Sequence, residues 1–156
     1  MTEITIAFGT ETGNSESLAK STARKLQTLG HQTKVTDLEE FTLDALSKCS
    51  FLLLITSTYG EGEPPSNSEA FYDDLMESQL NLSHLNFSVC GLGDTSYELF
   101  CQCGKDFDHR LAELGAHRFA PRVDCDVEYV EYQDWLDGVI GGLEASKSPA
   151  QPRSAS

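Results

Sequence analysis

The sequence predicts an α/β doubly wound domain, a three-layer sandwich in which a five-stranded parallel sheet lies between two layers of helices. Three observations carry this reading. Strand-like runs alternate with segments of helical periodicity along the chain, and parallel neighbours require such crossovers. The run Phe51-Leu52-Leu53-Leu54-Ile55 is apolar on both faces, as a central parallel strand should be. The 156 residues, 39% of them apolar, suffice for one core and one domain of ordinary size.

The elements follow in order. Residues 3–8 (Glu3-Ile4-Thr5-Ile6-Ala7-Phe8) make the first strand, which ends at Gly9. Residues 15–29 put Leu18, Ala19, Thr22, Leu26 and Leu29 at helical spacing, and Gly30 closes that helix. Residues 33–38 form a second strand with Val35 inward, and residues 43–48 support at most a short helix. Residues 51–56 are the third strand. A loop rich in Gly and Pro over residues 57–67 leads to a helix over about residues 68–79. Residues 87–92 read as the fourth strand. Residues 104–114 read as a helix with Phe107, Leu111 and Leu114 on one side, stopped by Gly115. Residues 118–123 make a fifth strand, where Pro121 implies an edge position or an interruption. Residues 131–143 are the last helix. The domain is thus expected over residues 1–144, followed by a small, polar, disordered tail over residues 145–156.

Eleven Lys and Arg face 25 Asp and Glu, a net charge of −14. Such a surface repels phosphate backbones and anionic lipid heads, so neither a nucleic acid nor a membrane is an expected partner. The longest wholly apolar run, residues 51–55, is far too short to cross a bilayer, and the amino end lacks the blocks of an export signal. A cytoplasmic monomer is expected. The cysteines Cys49, Cys90, Cys101, Cys103 and Cys125 then read as reduced thiols. Cys101-Gln102-Cys103 has no second pair near it, and His31, His84, His109 and His117 lack ligand spacing, so no metal centre is expected.

Sheets of this class bind ligands at the carboxyl ends of their strands, and three loops there are unusual. The first, Gly9-Thr10-Glu11-Thr12-Gly13-Asn14-Ser15, opens directly onto a helix. Hydroxyls and backbone N–H groups at a helix start, with the helix dipole, make an anion site. The spacing fits neither the G-x-x-x-x-G-K-[ST] triphosphate loop nor the G-x-G-x-x-G dinucleotide loop, and no basic residue precedes Lys20. A terminal phosphate monoester held by neutral donors fits best; a merely capped helix start is the plainer alternative. The second loop, Thr56-Ser57-Thr58-Tyr59-Gly60-Glu61-Gly62-Glu63-Pro64-Pro65, and the third, Gly91-Leu92-Gly93-Asp94-Thr95-Ser96-Tyr97-Glu98, share one grammar. Each combines permissive glycines and small polar residues with a tyrosine, which suits a planar aromatic ring. A lone loop tyrosine is usually just surface; two of them beside an anion loop describe a pocket for a ring with a phosphate tail.

These loops resemble those of flavodoxins, and specifically the FMN domain of diflavin reductases such as cytochrome P450 reductase and the sulfite reductase flavoprotein. The matching stretches are residues 10–15, 57–65, 91–98, 101–114 and 122–129. The resemblance implies a flavodoxin-like sheet of order 2-1-3-4-5 with FMN at its switch point. It implies that Thr10, Glu11, Thr12, Gly13, Asn14 and Ser15 hold the FMN phosphate and that Tyr59 and Tyr97 flank the isoalloxazine. Ser57, Thr58, Gly60, Gly62, Leu92, Gly93, Asp94 and Phe100 would complete the pocket, with Gly60 near the flavin N5, and Asp124 and Asp126 would lie near the ring. No catalytic residue and no metal ligand are implied.

Tyr59 resembles the P450-reductase type, whereas residues 95–108 resemble the sulfite-reductase type, so the motifs leave the acceptor open. The FAD and pyridine-nucleotide domain of diflavin reductases is missing from this sequence. The expectation is a stand-alone carrier that takes electrons from an NAD(P)H-linked flavoprotein reductase and delivers them singly to a haem or other redox protein, foremost a cytochrome P450. The alternatives are the FMN module of a sulfite-reductase-type diflavin enzyme, or a small flavin-dependent reductase. A phospho-receiver domain is disfavoured, because Thr56-Ser57 stand where its acceptor Asp belongs. Glu61, Glu63, Asp73, Asp74, Glu77, Glu98, Asp124, Asp126, Glu128 and Glu131 are expected to ring the site and steer a basic partner.

Overall fold

Apolar runs of period two and helices of period 3.6 assemble here into a single sheet covered on both faces. The computed structural model describes residues 3–9, 13–57, 68–93, 101–126 and 130–147. The strands are β1 (Glu3–Gly9), β2 (Gln32–Asp37), β3 (Phe51–Ser57), β4 (Asn86–Leu92), β5 (His117–Arg118) and β6 (Val123–Cys125). The helices are α1 (Asn14–Thr28), α2 (Leu43–Ser47), α3 (Glu69–Met76), α4 (Gln102–Glu113) and α5 (Tyr132–Lys147), with a 3-10 turn over Leu38–Glu40.

The sheet runs β2-β1-β3-β4-β5, and β6 also pairs with β4. Every pairing is parallel. The flavodoxin-like order 2-1-3-4-5 is therefore present, with one correction: the fifth strand is two pieces. β5 pairs with Asn86 and Phe87, and β6 pairs with Cys90, Gly91 and Leu92. Phe119 N still donates to Phe87 O at 3.1 Å, and residues 120–122 leave the ladder, where Pro121 has no N–H to contribute.

Alternation along β3 sends Leu52 and Leu54 to one core and Leu53 and Ile55 to the other. The first core is closed by Phe71 and Leu75 of α3 and Phe107 and Leu111 of α4. The second is closed by Ala19, Ala23 and Leu26 of α1 and Trp135, Val139 and Leu143 of α5. Trp135 is fully buried, and its indole N–H donates to Ser88 Oγ of β4 at 2.9 Å, so a polar atom inside the core is satisfied.

Helix ends explain the remaining departures. α1 and α4 stop where expected: Gly30 and Gly115 take φ 94° and 98°, and the N–H of the following residue returns to Leu26 O and Leu111 O. α4 begins at Gln102 rather than 104, because Cys101 takes φ 54° and starts the helix from a left-handed position. α3 ends at Met76 rather than near 79, since the Arg110 guanidinium of α4 donates to the carbonyls of Leu75 and Ser78. α5 continues to Lys147, so the boundary expected at residue 144 falls inside a helix. Residues 148–156 of the expected tail lie outside the described residues. Among the described residues no helix is long and apolar enough to cross a membrane.

Candidate functional site

The carboxyl ends of β1, β3, β4 and β6 and the amino end of α1 meet along one edge of the sheet. Gly9 ends β1 in close packing: a Cβ there would stand 2.8 Å from Thr56 Oγ1 and 3.0 Å from Ser68 Oγ. Ser57 Oγ donates to Gly9 O at 3.5 Å, drawing β3 against β1. Gly93 N donates to Cys125 O at 2.9 Å, joining the ends of β4 and β6. Asp126 N donates to Glu131 Oε1 at 3.2 Å, which fixes the chain leaving β6.

α1 begins at a glycine with no side chain to cap it, Gly13 at φ 93°. Ser15 follows in the first turn, is fully buried, and its Oγ finds no hydrogen-bond partner among the described residues. A buried hydroxyl without a partner is costly and rare in a native fold. Beside first-turn N–H groups and the positive end of the helix dipole, it is a donor waiting for an anion. Among the described residues the donors here are uncharged, and neutral N–H and O–H donors at a helix start can hold a phosphate monoester.

Asp124 holds the other side of the edge. It lies opposite Gly91 of β4, and its Oδ1 is 3.4 Å from where a Gly91 Cβ would be. Its neighbours Val123 and Cys125 turn to the α1/α5 side. Gly91 has no side chain, so α4 also comes close: a Cβ at Gly104 would be 3.1 Å from Gly91 Cα. Arg122 Nε donates to Asp124 Oδ1 at 3.0 Å, and Arg122 Nη1 donates to Asp108 Oδ2 at 2.8 Å. Burial disfavours the Arg122 charge, but Asp124 and Asp108 outweigh it and hold the guanidinium above its usual pKa.

The thiols near this edge are inert. All five cysteines are free, and Cys90 Sγ and Cys125 Sγ lie 3.6 Å apart. A cysteine at a helix start is ordinarily acidified. At Cys101 burial and the Asp124 charge win instead, and the thiol is pushed up to about 12. Burial pushes Cys103 up to about 12 as well. Among the described residues no group of three or more His, Cys, Asp or Glu could hold a metal ion. A hollow of about 500 Å³ beside Glu3, Lys34, Lys48 and Cys49 lies at the amino ends of the strands, the opposite pole, and is no part of this site.

Of the residues expected at the site, Gly13, Ser15, Ser57, Leu92, Gly93, Asp124, Asp126 and the backbone of Asn14 all fall on this edge. Leu92 is buried in the α1/α5 core, so its side chain faces away from any ligand and only its backbone is available. Thr10, Glu11, Thr12, Thr58, Tyr59, Gly60, Gly62, Asp94, Tyr97 and Phe100 lie outside the described residues. Sequence reasoning missed Arg122 and Asp108. The signal for the first was present: residues 122 and 124 share one face of an extended chain.

A profile of the flavodoxin family matches residues 6–135. The chain is 46% identical over 156 residues to the sulfite reductase [NADPH] flavoprotein alpha-component of Bacillus subtilis (strain 168), covering 98% of this chain and 26% of that protein. It is 42% identical over 127 residues to the protein of the same description from Shewanella oneidensis, covering 81% of this chain and 21% of that one. The chain therefore spans about a quarter of the length of these relatives. Among solved structures, a short-chain flavodoxin associated with a bacterial microcompartment superposes with a TM-score of 0.83 at 28% identity, covering 95% of this chain and 100% of that one. The flavodoxin of Streptococcus pneumonia TIGR4 gives a TM-score of 0.78 at 32% identity, covering 93% and 99%.

Proposed function

The chain belongs to the flavodoxin family, whose members bind FMN and transfer electrons, and on that premise we propose that it passes electrons singly from an NADPH-linked flavoprotein to a redox acceptor of the sulfite-reductase type. The observation that carries the choice of acceptor is the likeness, up to 46% identity, to sulfite reductase flavoprotein components. A cytochrome P450 acceptor, the first expectation from the loops, has no counterpart among these relatives. The reading as the FMN module of a sulfite-reductase-type system is therefore the better supported one, and an independent flavin enzyme the weaker.

When bound, the flavin supplies the redox chemistry, and the protein supplies binding, orientation and charge. The phosphate is assigned to α1's first turn, where Ser15 would donate its hydroxyl and Thr10, Glu11, Thr12, Gly13 and Asn14 would complete the site. The unpartnered Ser15 hydroxyl supports this assignment. Ser57, Thr58, Gly60, Gly62, Gly93, Asp94, Phe100 and the backbone of Leu92 would line the ring pocket, and Tyr59 and Tyr97 would cover the ring, as the resemblance implies. Asp126 places negative charge at the same edge and would disfavour the anionic, fully reduced ring by like-charge repulsion, whereas the Asp124 carboxylate is paired with Arg122. Asp73 and Asp74 on α3 are exposed or half-exposed and extend the acidic surface for a basic partner.

The test pairs FMN-loaded protein with an NADPH-linked flavoprotein reductase and offers it, in turn, a sulfite-reductase haem protein and a cytochrome P450. Faster reduction of the former, slowed by added salt, is the expected result. Preference for the P450, or a rate indifferent to salt, overturns the acceptor assignment or the steering role respectively.

A further inference from the structure

Asp108, Arg118, Arg122 and Asp124 form one chain of charges running from α4 to the site edge. Arg118 donates to Asp108 Oδ1 at 2.8 Å and to Asp108 Oδ2 at 3.0 Å. Arg122 bridges onward, 2.8 Å to Asp108 and 3.0 Å to Asp124. The Asp108 carboxylate is only 5% exposed and keeps Arg118 if Arg122 is removed. Asp124, 21% exposed, pairs among the described residues with Arg122. The two carboxylates and two guanidiniums sum to zero, so in a chain of net charge −14 the bridge balances the Asp124 charge at this edge.

We propose that Arg122 is a positioning residue: anchored on Asp108, it holds and neutralises the Asp124 carboxylate at the flavin edge, and so sets how strongly the protein discriminates against reduced FMN. This rests on the FMN reading given above. A guanidinium suits the task because its fork presents separate N–H donors to two carboxylates at once, which an ammonium on a flexible stem does less well. Without it, Asp124 stands as an uncompensated anion where the ring gains negative charge on reduction.

The experiment measures the dissociation constants of oxidised and fully reduced FMN, under anaerobic conditions, for the wild type, Arg122→Gln, Arg122→Lys, Asp124→Asn and the double variant Arg122→Gln/Asp124→Asn. The readout is the ratio of the reduced to the oxidised constant, which a merely structural loss does not move. Arg122→Gln is expected to raise that ratio about three- to tenfold, the size of one unit charge at a partly solvated distance. Asp124→Asn is expected to lower it by a similar factor, the double variant to return it to the wild-type value, and Arg122→Lys to fall between wild type and Arg122→Gln. An Arg122→Gln ratio within twofold of wild type overturns the proposal, as does a double variant that keeps the Arg122→Gln value. If Arg122→Gln does not fold, Asp124→Asn decides alone, and an unchanged ratio there overturns it. A wild type that takes up no FMN overturns the functional reading itself, which is a distinct result.

Discussion

Replacing Ser15 with Ala should shift the stabilities of the free and FMN-loaded proteins in opposite directions. Ser15 is fully buried and its hydroxyl has no partner among the described residues. An unpaired buried polar group costs about 1–3 kcal/mol. Deleting the hydroxyl removes that cost from the free protein and leaves a gap smaller than a methyl group, so stability should hold or rise by about 1 kcal/mol. For a chain of this length that is roughly 2–4 °C in Tm. Under the proposed assignment the same hydroxyl would donate to the charged FMN phosphate, a bond worth about 1.5–3 kcal/mol. At about 1.4 kcal/mol per factor of ten, the Kd for FMN should rise roughly ten- to a hundredfold. Fluorescence titration with FMN reads the affinity, and thermal unfolding of the free protein reads the stability. Riboflavin, which lacks the phosphate, should bind both proteins alike. A Ser15→Ala protein that melts lower than wild type and binds FMN equally well would refute the reasoning.

Gly9→Ala places a Cβ 2.8 Å from Thr56 Oγ1 and 3.1 Å from Leu38 Cδ1, and should lower stability by about 1–3 kcal/mol, seen as a lower urea midpoint. Asp108→Asn removes the carboxylate that both arginines share; breaking a fully buried pair costs about 3–5 kcal/mol, but Arg118 and Arg122 are 39% and 29% exposed, so a loss of about 1–3 kcal/mol is expected in the same assay. Cys101 and Cys103 have folded pKa values near 12, above the ordinary thiol value of 9.0. The unfolded chain therefore releases their protons first, and stability should be intact below pH 9 and fall as pH climbs from there towards 12. Urea unfolding across that window checks this, and Cys103→Ser should flatten the decline.

The sheet was legible because its signals are local and redundant. Phe51 to Ile55 is apolar at consecutive positions, and a run that short followed by a Gly- and Pro-rich loop suits a strand covered on both sides. Gly30 and Gly115 mark helix ends because a left-handed residue there closes the last carbonyls, and glycine adopts it at least cost. The start of α4 was not legible: Cys101 adopts φ 54° although nothing in its side chain favours it, so tertiary packing under Gly91 decides the position. The end of α3 depends on Arg110, which is 35 residues away in sequence from the carbonyl of Leu75 that it captures. Pro121 announced an interruption without telling that both halves of the strand would rejoin β4. At the site, loop grammar pointed to the edge that carries Ser15, and the 122/124 spacing sets Arg122 beside Asp124, whereas the reach of Arg122 to Asp108 on a helix leaves no periodicity to read.

The central claim is that this edge binds FMN and passes its electrons singly. Anaerobic potentiometric reduction of the FMN-loaded protein, followed by absorbance, tests it most directly. The account predicts one FMN per chain, reduced in two resolved one-electron steps. A single two-electron step would contradict single-electron delivery, and a protein that takes up no FMN would contradict the claim as a whole.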